Sequence, residues 1–416
     1  MVSAASFLAG WLTDELAPHQ LALQAFVVVV LVALGALSHP VGWVGLGLAG
    51  LAWAGLAVSL GRSRRAGEQL ESALCEGLGA DYLDRTEEAR RRPAGPPDWR
   101  RIARLVPVRG RSVVVTRDLV FASPDGVPLR LDVYRRRGAS GPAPTLIFVH
   151  GGGWVTGDKR AQGLLTLHRM AARGWTCLNI NYRLSPRATF PEHLIDVKQA
   201  IRWARGEGRA HGCDPSFVAL AGGSAGAHLA SLAALTPNRA DYQPGFAPVD
   251  TSVQACVAYY GVFDFVDRHG HWPHRVFRYL LARLVMKKRL DDDRAAYDEA
   301  SPIAQVSDRA PPFLVLHGDR DTLAPVDEGR TFVRALRSVS RAPVVYAELP
   351  GAQHAFEIFS SVRSTVAVAA VERFLSFVYS EHARRQVASP ALRAVDLAPA
   401  VLASPGDEVR TAAEGA

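Results

Sequence analysis

Between Leu16 and Gly61 the chain carries no charged side chain, although Asp14 and Glu15 stand just before this stretch and Arg62, Arg64 and Arg65 just after it. The stretch breaks at Ser38-His39-Pro40, leaving two apolar runs, Leu21 to Leu37 and Val41 to Leu60. Each matches the roughly 17 to 25 residues that a helix needs to cross hydrocarbon. The pattern therefore predicts a membrane anchor over residues 1–61, built as two transmembrane helices in a tight hairpin. A cleaved signal peptide would need a basic start and a short apolar core, and residues 1–15 hold neither Lys nor Arg. The arginines after the second run, followed by Arg85, Arg90, Arg91 and Arg92, are expected to place the downstream chain on the cytoplasmic side by the positive-inside rule; the alternative is a single span with the Gly-rich second run packed elsewhere, which would export the downstream part. Gly45-Leu46-Gly47-Leu48-Ala49-Gly50 matches GxGxxG in form only, because no strand precedes it; small residues for close helix packing are the expected reading.

Past the anchor the periodicity changes twice. Residues 62–110 are charged and interrupted by Pro93, Pro96, Pro97 and Pro107, which predicts a basic helical linker resting on the domain or on anionic headgroups, or a contribution to a cap. Short β-rich runs then alternate with helix-length segments: Val113 to Val115, Leu129 to Tyr134, Thr145 to Val149, Cys177 to Tyr182, Val218 to Ala221, Cys256 to Tyr260, Phe313 to His317 and Val344 to Leu349. Such alternation predicts an α/β domain over 111–382 with a mostly parallel, doubly wound sheet covered on both faces. Residues 262–310 contain no strand between two core strands and are expected to form a helical cap. The Ala- and Pro-rich end, 383–416, is expected to be disordered.

Composition narrows the function classes. The 48 basic against 40 acidic residues leave a charge of +8 over 416 residues, with no aromatic-interleaved basic stripe, so no nucleic-acid partner is expected. Four cysteines, Cys75, Cys177, Cys213 and Cys256, lie far apart without a CxxC pair, which excludes a disulfide framework and a zinc ribbon. No metal site is expected at His269, His271 and His274, separated by Gly270 and Pro273, nor at Asp291-Asp292-Asp293, which lacks alternating ligand spacing. No cofactor is expected.

The chemistry sits on strand ends. Val218 to Leu229 reads as a strand, a glycine corner and a helix around Gly222-Gly223-Ser224-Ala225-Gly226, a GxSxG turn that exposes the Ser224 hydroxyl. The strand ending at Val149 runs into His150-Gly151-Gly152-Gly153-Trp154, whose backbone N–H groups can converge on a developing oxyanion; Gly151, Gly152 and Ala225 are the expected donors. Downstream, a strand ends in Asp319 and Asp321, and another is followed by His354. The order Ser, Asp, His is that of triads on doubly wound hydrolase sheets, with either aspartate able to orient the histidine. His150 and His228 are expected to be structural, and Arg183 and Asp196 to pair locally.

HGGGW at 150–154, Asn181-Tyr182-Arg183-Leu184-Ser185-Pro186, GGSAG at 222–226, Asp321-Thr322-Leu323 and Gly351-Ala352-Gln353-His354-Ala355-Phe356 together resemble the hormone-sensitive-lipase-like branch of the α/β-hydrolases. The resemblance covers about residues 112 to 380 and implies Asp321 as the triad carboxylate. It also implies a serine carboxylesterase or lipase acting on small-molecule or lipid esters of short to medium acyl length. The anchor resembles membrane-bound bacterial esterases and the prenylcysteine methylesterase type. An arylformamidase, a lactonase or a noncatalytic receptor on the same fold are the alternatives. A neutral histidine base predicts activity that declines below about pH 6 to 7.

Overall fold

The computed structural model describes residues 2–103, 112–272 and 275–388. Eight strands form one sheet in the order β1-β2-β4-β3-β5-β6-β7-β8. They are β1 (Val113–Ala122), β2 (Leu129–Arg136), β3 (Ala143–Val149), β4 (Thr176–Ile180), β5 (Cys213–Gly223), β6 (Ala255–Tyr259), β7 (Phe313–Gly318) and β8 (Val344–Leu349). The β1–β2 and β2–β4 pairs are antiparallel, and every pair from β4 onward is parallel. All eight expected strands are present. The central ones are apolar throughout because both faces are covered: β4, β6 and β7 have no exposed residue.

The helices are α1 (Val2–Glu15), α2 (Ala17–Ala33), α3 (Pro40–Leu78), α4 (Trp99–Ile102), α5 (Leu164–Ala172), α6 (Glu192–Arg205), α7 (Ala225–Leu235), α8 (Arg275–Leu280), α9 (Arg294–Glu299), α10 (Val326–Val339) and α11 (Val362–Ala388). One core lies between the sheet and α6, α7 and α10, and a second between the sheet and α3, α5 and α11. Residues 262–310 contribute α8, α9 and a turn of π-helix at Leu281–Val285, with no strand among the described residues.

Three expectations change in part. The 62–110 linker begins as the expected helix resting on the domain, but without a boundary at 61/62: α3 runs unbroken for 39 residues, and its buried positions Leu56, Ser59, Ser63, Ala66, Leu70 and Leu74 recur every three or four residues. That spacing puts them on one stripe, which docks on β8 and α11. Arg64, Arg65 and Glu68 between them face outward and mask the stripe in a composition reading. Second, residues 383–388 continue α11; the rest of the expected disordered tail lies outside the described residues, as do Pro107 of the linker and His274 of the histidine group. Third, Gly45, Gly47 and Gly50 face no described atom within 4 Å of an added Cβ, so they are not the hairpin's packing face. The close approach is at Gly42, where a Cβ would stand 1.9 Å from the Ala36 carbonyl. The chain does break where expected, between Ser38 and Pro40, and α3 is long and apolar enough to cross a bilayer. Helix α2 follows α1 at 82°.

Candidate active site

Strand β5 delivers Ser224 at a sharp corner, where it adopts φ +55° and ψ −122°, a conformation that costs about 1–3 kcal/mol unless its surroundings impose it. They do. A Cβ at Gly222 would stand 2.4 Å from the Gly226 carbonyl, and one at Gly226 would stand 2.0 Å from the Val149 carbonyl. Only glycine lets α7 pass this close to the ends of β5 and β3, so the corner holds and α7 begins directly at Ala225. As the first residue of α7, Ala225 has an N–H with no intrahelical partner, at the positive end of the helix dipole.

The glycine loop after β3 closes over the same point. Gly152 and Gly153 have φ of +115° and +60°. The N–H of Gly151, however, donates to the side-chain carbonyl of Gln162. Gly151 is thus already engaged, which removes it from the expected donor set. No described acceptor takes the N–H of Gly152, Gly153 or Ala225. His150 is structural, as expected: its ring stacks on Tyr182 at 4.5 Å and its Nδ1 donates to the Gly151 carbonyl at 2.7 Å. Burial lowers its pKa, so it stays neutral. His228 is also buried, between the Trp154 indole and the Ala300 carbonyl, and is pushed down to about 3 by burial. Arg183 and Asp196 form the expected pair at 2.8 Å.

The two aspartates separate. Asp321 Oδ2 lies 2.6 Å from His354 Nδ1, whereas Asp319 Oδ1 accepts the N–H of Gly351 at 2.6 Å. The other oxygen of Asp321 accepts the N–H groups of Leu323 and Ala324 at 2.8 Å each, and His317 Nε2 stands 3.5 Å from Oδ2. Burial alone would raise the Asp321 pKa, but His354 and His317 outweigh it and hold the carboxyl well below the usual carboxylate range. Because a carboxylate only accepts, the His354 proton sits on Nδ1 and Nε2 is left to act as base. Among the described residues no hydrogen bond joins Ser224 to His354. Both line one cavity of about 880 Å³ with Gly152, Trp272 and Leu280, and catalytic hydrogen bonds commonly close only when substrate arrives.

Sequence reasoning missed several groups here. Gln162 Nε2 donates to Tyr260 Oη at 3.1 Å, Tyr260 Oη donates to the buried Glu357, and the Tyr260 ring lies 4.5 Å from His354. Burial pushes Glu357 up to about 7 against that hydrogen bond. The N-terminal helix was also missed. The Trp11 indole donates to the Ala355 carbonyl at 2.9 Å, Phe7 meets His354 edge-on at 6.3 Å, and Ser6 lines the cavity. Motif spacing is of no help for such contacts, because the hydrogen-bonded partners lie 97 to 344 residues apart. Only the nearness of Glu357 to His354 along the chain hinted at one of them.

Comparison with known proteins identifies the family. A family model described as BD-FAE matches residues 131–336. The probable carboxylic ester hydrolase LipM of Mycobacterium tuberculosis is 44% identical over 328 residues, 77% of this chain and 75% of that protein. The esterase LipQ of the same organism is 40% identical over 362 residues, 83% of this chain and 81% of that protein. Among solved structures, Thermogutta terrifontis esterase 2 phosphonylated by sarin matches with a TM-score of 0.51 at 25% identity, covering 60% of this chain and 87% of that one.

Proposed function

Given that this chain belongs to the hormone-sensitive-lipase-like α/β-hydrolase carboxylesterases, with 44% identity to LipM across three quarters of that protein, we propose that it hydrolyses carboxylic esters through an acyl-enzyme on Ser224. Ser224 Oγ adds to the ester carbonyl while His354 Nε2 takes its proton. The tetrahedral oxyanion is held by the N–H groups of Gly152, Gly153 and Ala225. His354 returns the proton to the leaving alcohol, and the same steps with water release the acid. Asp321 holds the tautomer and stabilises the imidazolium. One observation carries the reading: the 2.6 Å contact of His354 with Asp321 in the cavity that the strained Ser224 corner faces. The cavity volume of about 880 Å³ suits a short or medium acyl chain with its alcohol.

The long apolar α3, and α2 paired with it, support an integral membrane anchor. Leu23, Phe26, Val41 and Leu48 point their side chains away from the protein, as lipid-facing residues would. The arginines from Arg62 onward support a cytoplasmic catalytic domain.

The deciding experiment is Ser224→Ala with a nitrophenyl butyrate substrate and a fluorophosphonate probe. Turnover is expected to fall by more than about 10⁴-fold and labelling to vanish, with the fold unchanged by circular dichroism. Persistent turnover would overturn the assignment.

A further inference from the structure

Strand β8 runs opposite to α3, and this settles where the catalytic edge points. A Cβ on Gly77 would meet Val345 at 2.7 Å near the start of β8, whereas one on Gly351, just past its end, would meet the Arg62 side chain at 3.5 Å. Arg62 is the first charged residue after the apolar stretch. Gly77 lies about 22 Å farther along, at about 1.5 Å of rise per residue. Strands β3, β5, β6 and β7 are parallel to β8. Their carboxyl ends, which carry the loops of Ser224, Asp321 and His354, therefore turn toward the apolar half of α3.

Helix α1 occupies the space between that edge and the apolar hairpin. It joins α2 at 82°, with only Leu16 between them. If α2 crosses a bilayer, α1 lies along its surface. Contacts that fasten it to the catalytic domain include Trp11 on the Ala355 carbonyl, Phe7 against His354, and a fully buried ion pair between Glu15 and Arg363 at 2.8 Å. Among the described residues its other face is apolar and exposed, with Leu8 51% and Leu12 41% exposed. Across the cavity, Val276 of α8 and Leu323 are exposed as well.

We propose that α1 is a bilayer-surface helix that walls the ester cavity, and that the enzyme draws from the membrane an ester whose acyl or alcohol part partitions into lipid. This rests on the reading of Ser224 as nucleophile and of α2 and α3 as spans. The occupant of the Leu8 and Leu12 face is the bilayer, because α1 passes through Leu16 alone into α2, whose Leu23, Phe26, Val27 and Leu31 side chains are exposed in the same way. A substrate dissolved in lipid then reaches Ser224 past α1 and α8 without crossing water.

The test uses the full chain in phosphatidylcholine–phosphatidylglycerol vesicles, with nitrophenyl butyrate as a water-borne ester and nitrophenyl dodecanoate as a lipid-borne one. Leu8 and Leu12 do not line the cavity. The double variant Leu8→Asp with Leu12→Asp is expected to lower dodecanoate hydrolysis by about ten-fold or more, since two leucines leave the lipid, while butyrate hydrolysis stays within about two-fold. A dodecanoate rate unchanged beside intact butyrate turnover overturns the bilayer route alone. Absence of butyrate turnover in the unaltered protein overturns the hydrolase reading and this one with it. A second measurement needs no activity: a nitroxide on Leu12→Cys, in a Cys75→Ser background, should be relaxed by oxygen in the bilayer more than by a water-soluble nickel chelate. The reverse preference overturns the proposal.

Discussion

The side-chain amide of Gln162 donates to the hydroxyl of Tyr260 across 3.1 Å while its carbonyl takes the N–H of Gly151. Tyr260 passes the connection on to Glu357 and rests against the His354 ring. One buried chain of hydrogen bonds thus ties the oxyanion loop to the histidine loop.

Replacing Gln162 by Leu breaks both bonds and leaves a buried amide N–H and a buried hydroxyl short of a partner, at about 1–3 kcal/mol each. The glycine loop then loses its fixed position. We expect kcat to fall about 10- to 100-fold with KM moving far less, because the oxyanion donors act in the transition state. Steady-state kinetics on a butyrate ester checks this, and an unchanged kcat would remove Gln162 from the positioning network.

The two aspartates are separable by mutation. Asp321→Asn permits the wrong histidine tautomer and should reduce kcat by about 10⁴-fold. Asp319→Asn alters only the bond to Gly351 N and should cost less than about ten-fold in kcat, of the order expected for one weakened hydrogen bond. Equal losses in the two variants would contradict the division of roles.

Burial pushes Glu328 up to about 8, although its carboxylate accepts the N–H groups of Phe263 at 3.0 Å and Asp264 at 3.1 Å. With its folded pKa above the unfolded value, this group contributes stability that is full below about pH 4.5 and is lost as pH rises through about 8. Glu328→Gln keeps an acceptor without a charge. Its melting temperature is expected to exceed that of the unaltered protein by about 2–4 °C at pH 9 and to show a smaller difference at pH 5. A larger gain at pH 5 than at pH 9 would refute the sign.

Arg363 also accepts no substitute easily, since its guanidinium donates to Glu15 and to the Pro350 carbonyl inside the protein. Arg363→Met leaves Glu15 buried and uncompensated, a loss of about 3–5 kcal/mol. Faster amide hydrogen exchange in α1 is expected, since its Glu15 end is no longer held. Exchange rates equal to those of the unaltered protein would show that the ion pair does not hold the helix.

Local pattern decided a great deal of this protein. The central strands were legible because a parallel strand buried on both faces must be apolar throughout, and the break at Ser38-His39-Pro40 because a charge-free stretch admits few interruptions. Ser224, His354 and the pair Asp319 and Asp321 could be named as candidates because each follows a parallel strand of one sheet, and the ends of such strands share an edge; the family resemblance then implied Asp321. Tertiary structure decided the rest. The N–H of Gly151 was lost to a glutamine eleven positions on, a contact that no spacing rule encodes. The stripe from Leu56 to Leu74 was hidden by Arg64, Arg65 and Glu68 between its members, which face outward while β8 and α11 cover the other side. Helix α1 reads as an ordinary apolar segment, and its contacts with Ala355 and Arg363 span more than 340 residues. Periodicity reports which face of an element is buried; what it is buried against depends on how distant segments meet.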